Sequence, residues 1–258
     1  MANIIAIANQ KGGVGKTSTA INLSASIAAA EYKTLLIDID PQANSSHGLG
    51  IYDNENSVYD VILGTTEIGN CIVNSYMPNL DILPSHIDLV GAEVEIVTFQ
   101  NRERLLKNAF DDVADKYDYI FIDCPPSLSL LTLNALTAAD SVIIPVQCEY
   151  FALEGLGQLL NTINVVKKQL NPELAINGVL LTMYDQRLNL SNQVVEEVRR
   201  FFGEKVFDTI IHRNVKISEA PSHAKPVILY DAISTGAKNY ISLAAEVIAR
   251  SNHKQKSI

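Results

Sequence analysis

The sequence predicts an α/β fold, a single doubly wound, mostly parallel sheet with helices on both faces. Three observations predict it. Short apolar runs alternate with longer stretches of helical periodicity along the chain. A glycine-rich turn, Gly12-Gly13-Val14-Gly15, joins the first apolar run to the first helical one. Carboxylates stand where apolar runs end, at Asp38, Asp40 and Asp123. Strands alternating with helices pair in parallel, and helices then cover both faces of the sheet.

Taken in order, residues 4–8 form a strand and 17–30 a helix. A strand follows at 34–37, ending at Asp38 and Asp40. Ser57-Val58-Tyr59-Asp60 reads as a capping box that opens a short helix to Leu63, with Gly64 as its stop. A strand at 80–83 precedes a helical stretch around 102–116, and a strand at 119–122 ends at Asp123. The strands at 141–146 and 176–182 are followed by helices at 153–170 and 191–202. The last helix, 236–250, carries Ile241, Leu243, Val247 and Ile248, a stripe narrow enough for the core. No internal repeat, low-complexity segment or linker interrupts the pattern, so residues 1–258 are expected to form one domain.

Composition sets limits on function. The chain is 47% hydrophobic and 19% charged, enough for a well-buried core. No apolar run is long enough to span a bilayer, and the first strand follows the initial methionine directly, so a cytoplasmic protein is expected. Cys71, Cys124 and Cys148 lie far apart and read as reduced core residues. His47, His86, His212, His223 and His253 show no metal-ligand spacing. The net charge of −9 opposes bulk attraction to nucleic acid. The charge is uneven, however: from Arg187 onward 11 Lys and Arg face 7 Asp and Glu, a balance of +4, while the remainder carries 9 against 22. That distribution suits either a local polyanion patch or an ordinary surface.

The stretch Gln10-Lys11-Gly12-Gly13-Val14-Gly15-Lys16-Thr17 carries the most chemistry. Glycines let backbone N–H groups wrap an anion, and a helix N-terminus adds unpaired donors and partial positive charge. Lys16 can reach the β- and γ-phosphates of a nucleotide and the Thr17 hydroxyl can hold Mg²⁺; Ser18 continues the turn. The general phosphate-loop pattern has glycine where Gln10 stands and no charge where Lys11 stands. A lysine at the loop entrance folds back poorly onto phosphates wrapped by its own loop, so Lys11 is expected to point outward across an interface. Asp123, after the apolar run 119–122, reads as the carboxylate that holds the Mg²⁺ hydration shell. Asp38 and Asp40 share one side of their strand and suit metal-water binding or orientation of an attacking water; the residues alone do not rank them.

Lys11-Gly12-Gly13-Val14-Gly15-Lys16-Thr17 resembles the deviant Walker A motif of the ParA/MinD ATPases. The resemblance extends to Asp38-Ile39-Asp40-Pro41-Gln42, Asp123-Cys124-Pro125-Pro126-Ser127, Pro145-Val146-Gln147-Cys148-Glu149-Tyr150, Arg213-Asn214-Val215-Lys216 and Ser218-Glu219-Ala220-Pro221-Ser222-His223. It spans nearly the whole chain and is strongest to the Soj/ParA branch. It implies a P-loop ATPase using ATP/ADP and Mg²⁺, with Asp40 as the hydrolytic carboxylate and Asp38 as a supporting metal-site residue. Lys11 would act in trans in an ATP-bound homodimer. Adenine would sit near Met183 and the Arg213-Asn214 turn. Relatives usually carry Pro before that pair; this chain has His212, read as an ordinary loop residue.

The resemblance also implies non-specific binding of double-stranded DNA, with the positions of Arg187 and Lys216 matching the family's main DNA-contacting basic residues. Arg199, Arg200, Arg213 and Lys225 are further basic candidates, although Arg199 and Arg200 also suit the end of a helix. The family often has Arg where Lys216 stands, which keeps the charge and loses the bidentate fork. A ParB/Spo0J-like centromere-binding partner, a nucleoid-associated location and a segregation or replication-control role follow from the same resemblance. A MinD-like membrane-positioning ATPase is the alternative, but the tail offers Lys254 and Lys256 with only one large apolar residue.

Overall fold

The computed structural model describes residues 2–52, 54–110, 113–150 and 156–255. Its strands are β1 (Asn3–Ile7), β2 (Thr34–Asp38), β3 (Val73–Asn74), β4 (Leu80–Leu83), β5 (Tyr119–Asp123), β6 (Ser141–Gln147) and β7 (Ala175–Thr182). They form one sheet in the spatial order β3-β4-β2-β5-β1-β6-β7. Every pairing is parallel except that of β3 with β4 at one edge.

Side chains alternate across this sheet, as the two-residue period of a strand requires. Ile5, Ile7, Leu36, Phe121, Ile143 and Leu180 face one layer, covered by the helices Lys16–Ala29 and Thr235–Gln255. Ala6, Leu35, Ile37, Ile120, Ile122 and Val142 face the other. That layer takes the helices Val58–Leu63, Leu105–Ala109, Leu130–Ala138, Leu156–Gln169 and Asn189–Phe202. Both faces of the central strands are therefore dry, which explains their near-continuous apolar runs.

Several elements depart from the sequence expectation. The helical stretch expected at 102–116 is a short helix, Leu105–Ala109, and a 3-10 turn, Ala114–Lys116; residues 111–112 lie outside the described residues. The start of the helix expected at 153–170 and the tail beyond 255, with Lys256, also lie outside them. The helix Leu130–Ala138 has no amphipathic stripe, because all of 131–138 except Leu133 is buried, and periodicity alone misses such a segment. The last helix packs through Ala237, Tyr240, Leu243, Ala244 and Val247, whereas Ile241 is exposed rather than part of the stripe. The capping box at Ser57 is present: Tyr59 N–H donates to Ser57 Oγ at 3.2 Å and Ser57 N–H to Asp60 Oδ2 at 2.8 Å.

Functional groups gather at the carboxyl ends of the parallel strands. In register, Ile7 of β1 pairs with Asp123 of β5, and Asp123 with Asp38 of β2. The glycine-rich turn leaves β1 directly above them.

Candidate functional site

The turn after β1 is held from three sides. Asn9 Nδ2 donates to the Pro145 carbonyl at 2.6 Å, and Asn9 Oδ1 accepts from Lys11 N–H at 3.0 Å. Thr182, at the end of β7, donates its hydroxyl to the Val14 carbonyl at 2.8 Å. Gly13 and Gly15 adopt φ of 73° and 88°, the left-handed region where a side chain is strained. Gly15 caps the helix Lys16–Ala29, aiming its free N–H groups into the turn. The fold uses Asn9 and Thr182 as loop anchors, and no local pattern in the sequence marks either one.

Lys16 is 7% exposed and its Nζ donates to the Lys11 carbonyl at 3.1 Å. Burial pushes its pKa down, against the opposing charges of Asp123, Cys124 and Asp40. Lys11 is half-buried, and its ammonium makes no hydrogen bond or ion pair among the described residues. A cavity of about 380 Å³ opens beside the turn, lined by Gly12, Gly13, Lys16, Thr17, Asp40 and Asn44, among others.

The carboxylates occupy two levels. Asp40 lines the cavity, and its Oδ1 accepts from Gln42 N–H at 3.0 Å. Asp38 and Asp123 are fully buried beneath it. Both oxygens of Asp38 are engaged: Oδ2 accepts from Ser46 N–H and Ser46 Oγ, each at 2.8 Å, and Oδ1 from Asp40 N–H at 3.2 Å. Asp38 therefore ties down the helix Asn44–Gly48 and does not face the cavity. Asp123 Oδ2 accepts from Ser45 Oγ at 2.8 Å, while its Oδ1 is buried without a partner. Burial raises the pKa of Asp38, with the hydrogen bonds from Ser46 and Asp40 opposing it. Burial also raises that of Asp123, reinforced by the charge of Asp38 and opposed by the nearby Ser45 and Thr17 hydroxyls.

A cation fits this chemistry. Two adjacent buried carboxylates repel each other, Asp123 Oδ1 has no hydrogen-bond partner among the described residues, and the Thr17 hydroxyl acts on the same carboxyl group. Among the described residues no group of three or more His, Cys, Asp or Glu forms a ready metal cage. Such a partial donor set suits Mg²⁺, which keeps its waters and shares substrate phosphates. Of the four expected metal-site residues, Thr17 and Asp40 line the cavity, Asp123 is buried below it, and Asp38 is engaged by Ser46 and the Asp40 backbone.

A second cavity of about 280 Å³ joins the first through Gly15, Ser18 and Met183. Met183 adopts φ 52°, which turns the chain sharply after β7. The remaining wall carries the apolar Ile211, Val215, Ile217 and Tyr240, and its polar groups come from Thr182, His212, Arg213, Asn214 and Ser218. His212 is thus a wall residue rather than an ordinary loop residue.

The basic candidates divide into two places. Arg187 and Arg213 line one polar hollow of about 430 Å³, and Lys216 lies a turn further on, in the helix Val215–Glu219. Each is paired with an acid. Arg187 donates Nη2 to Asp185 Oδ2 at 2.6 Å and Nε to Oδ1 at 2.9 Å, holding the Asp185 carboxyl down to about 2. Lys216 Nζ meets Glu219 Oε2 at 2.9 Å, and Arg213 Nη2 meets Glu149 Oε1 at 3.5 Å. Lys225 is exposed beyond the same segment. Arg199 and Arg200 sit in the last turn of the helix Asn189–Phe202, about 15 Å along its axis from its start near the Arg187 loop.

Comparison with known proteins places the whole chain. An AAA domain family matches residues 2–176. The sporulation initiation inhibitor protein Soj of Bacillus subtilis is 57% identical over 251 residues, covering 96% of this chain and 99% of that protein. The chromosome partitioning protein ParA of Myxococcus xanthus is 53% identical, covering 98% and 90%. Among solved structures, cobyrinic acid a,c-diamide synthase from Mycobacterium smegmatis with bound ADP and magnesium superposes with a TM-score of 0.87 at 36% identity, covering 98% and 96%. The fold is shared with the synthase, but sequence identity is far higher to the partitioning proteins. The chain belongs to the ParA/Soj family of chromosome-partitioning proteins.

Proposed function

We propose that this protein is a P-loop ATPase of one domain that partitions DNA: ATP joins two copies, the pair binds double-stranded DNA without sequence preference, and hydrolysis releases it. The observation that carries this reading is a second lysine, Lys11, whose ammonium is unpaired among the described residues, on the same turn as the buried Lys16 that lines the cavity. Phosphoryl transfer needs positioning and charge neutralisation above all. Lys16 and the loop amides bind the β- and γ-phosphates, and the second cavity receives the base. Mg²⁺, held through Thr17 and Asp123, would supply charge neutralisation at the phosphate oxygens. Asp40 orients the attacking water, while Asp38 supports it by fixing the Asp40 backbone and the helix Asn44–Gly48. Lys11 completes the site of the second copy, so hydrolysis depends on dimerisation.

Arg187, Arg213 and Lys216 form the DNA surface, with Lys225 at its flank. They contact phosphates, since no groove-reading motif accompanies them. A ParB/Spo0J-like partner stimulates hydrolysis and resets the cycle in a cytoplasmic, nucleoid-associated protein. The MinD-like reading is disfavoured by the last helix, whose apolar stripe is packed in the core; no helix among the described residues is long and apolar enough to cross a membrane. The test is ATP turnover with and without DNA and a centromere-binding partner peptide. Turnover raised by the two together is expected; turnover indifferent to both would contradict the proposal.

A further inference from the structure

His212 is held in one orientation and one tautomer. Asn239, on the helix Thr235–Gln255, places Oδ1 at 3.1 Å from both His212 N and His212 Nδ1. A backbone N–H only donates, so the atom facing it is the amide oxygen, and an oxygen that accepts there obliges Nδ1 to carry a proton as well. The neutral ring then presents Nε2 as a lone pair. Nε2 makes no hydrogen bond among the described residues and is not one of the sealed, partnerless polar atoms. The ring packs edge-on to Tyr184, centroids 5.3 Å apart, and the backbone is pinned by Tyr184 N–H to Ile211 O and Arg213 N–H to Tyr184 O at 3.1 and 2.9 Å. A proline in this position would lack both donors to Asn239 and the acceptor.

His212 stands between this cavity and the polar hollow of Arg187, and the cavity exposes more apolar than polar surface, so an acceptor held in one orientation there has a large say in what fits. We propose that His212 is a base-specificity residue: its Nε2 accepts a hydrogen bond from the exocyclic amine of a 6-aminopurine and repels the carbonyl oxygen of a 6-oxopurine. This rests on the reading that the cavity receives the base of the nucleotide.

The test is equilibrium binding of ATP, GTP and purine riboside triphosphate, which lacks the exocyclic amine, to the full chain. Wild type is expected to bind ATP about two- to tenfold more tightly than purine riboside triphosphate, and GTP more weakly than either. His212→Phe keeps the ring packing and removes the acceptor. It is expected to bind ATP and purine riboside triphosphate equally, at the wild-type affinity for the latter, which also reports correct folding. Asn239→Leu, which frees the tautomer, is expected to lie between. Nitrogen-15 spectra of the free chain should show the Nδ1–H tautomer. A His212→Phe protein that retains the preference for ATP, or a ring found as the Nε2–H tautomer, overturns the inference while the site stands. Triphosphate binding undiminished in Lys16→Ala overturns the reading of the site itself.

Discussion

The carboxylate floor under the glycine-rich turn and the basic surface around Arg187 treat charge in opposite ways. In the floor, Asp38 and Asp123 are fully buried on neighbouring strands, and Asp123 Oδ1 has no hydrogen-bond partner among the described residues. On the surface, Arg187, Arg213 and Lys216 each already hold an acid, with side chains 82%, 63% and 42% exposed. A buried charge without a counter-ion is costly, so the floor favours a cation strongly. An exposed ion pair contributes little and is screened by salt, so the surface exchanges one anion for another at small cost. The floor is thus suited to an all-or-none event and the surface to graded, reversible contact.

The largest expected effect lies in the floor. Lys16→Ala removes the cation inside the cavity and is expected to weaken nucleotide binding by about a hundredfold or more; calorimetry with ATP checks this. Asp40→Ala keeps Lys16 and Thr17 but removes the carboxylate that lines the cavity. Hydrolysis is expected to fall by about a hundredfold or more while sizing in ATP shows a persistent dimer. Equal hydrolysis by wild type and variant would assign the role elsewhere.

The raised carboxylate pKa values sharpen the contrast without any ligand. Asp38 and Asp123 titrate higher folded than unfolded. Their contribution to stability is therefore fully present below the ordinary carboxylate range and is lost as pH rises through the raised folded values. The nucleotide-free chain should melt lower as pH climbs from about 4 towards neutrality. Asp123→Asn should remove part of that loss, melting about 2–4 °C above wild type at slightly alkaline pH and reversing the order when Mg²⁺ and ATP are added. A pH-independent melting difference would contradict the assignment. The smallest effect belongs to the surface: Asp185→Asn frees Arg187 and is expected to raise DNA affinity only about two- to threefold, read by fluorescence anisotropy.

The two regions were unequally legible in the sequence. Strands whose two faces are both buried announce themselves as apolar runs, and a carboxylate at the end of such a run is conspicuous, so Asp38, Asp40 and Asp123 could be found before any coordinates. What Asp38 does could not, because its partners on the helix Asn44–Gly48 are set by the fold. The helix Leu130–Ala138 was hidden by the absence of a polar face. Thr182 and Asn239 act over long sequence separations, meeting Val14 and His212, and no local pattern encodes such contacts. The basic surface was visible only as an excess of charge. Structure divides that excess, bringing Arg187 and Arg213 to one hollow, with Lys216 on the helix that follows Arg213, and leaving Arg199 and Arg200 at the far end of their helix.

The central claim is that the floor governs the surface through dimerisation. Three basic residues per copy, on a chain of net charge −9, bind DNA weakly alone. Two patches held together bind with a high effective concentration, and about six phosphate contacts give a slope near −5 of log affinity against log salt. The direct measurement is DNA binding with ADP, ATP and a slowly hydrolysed ATP analogue, for wild type, Lys11→Ala and Arg187→Glu, alongside sizing in ATP. Wild type is expected to bind only with the triphosphates. Lys11→Ala should lose both dimer and DNA although its own DNA surface is intact, and Arg187→Glu should lose DNA while still dimerising. Equal DNA affinity in ADP and ATP, or DNA binding by a Lys11→Ala protein that stays monomeric, would contradict it.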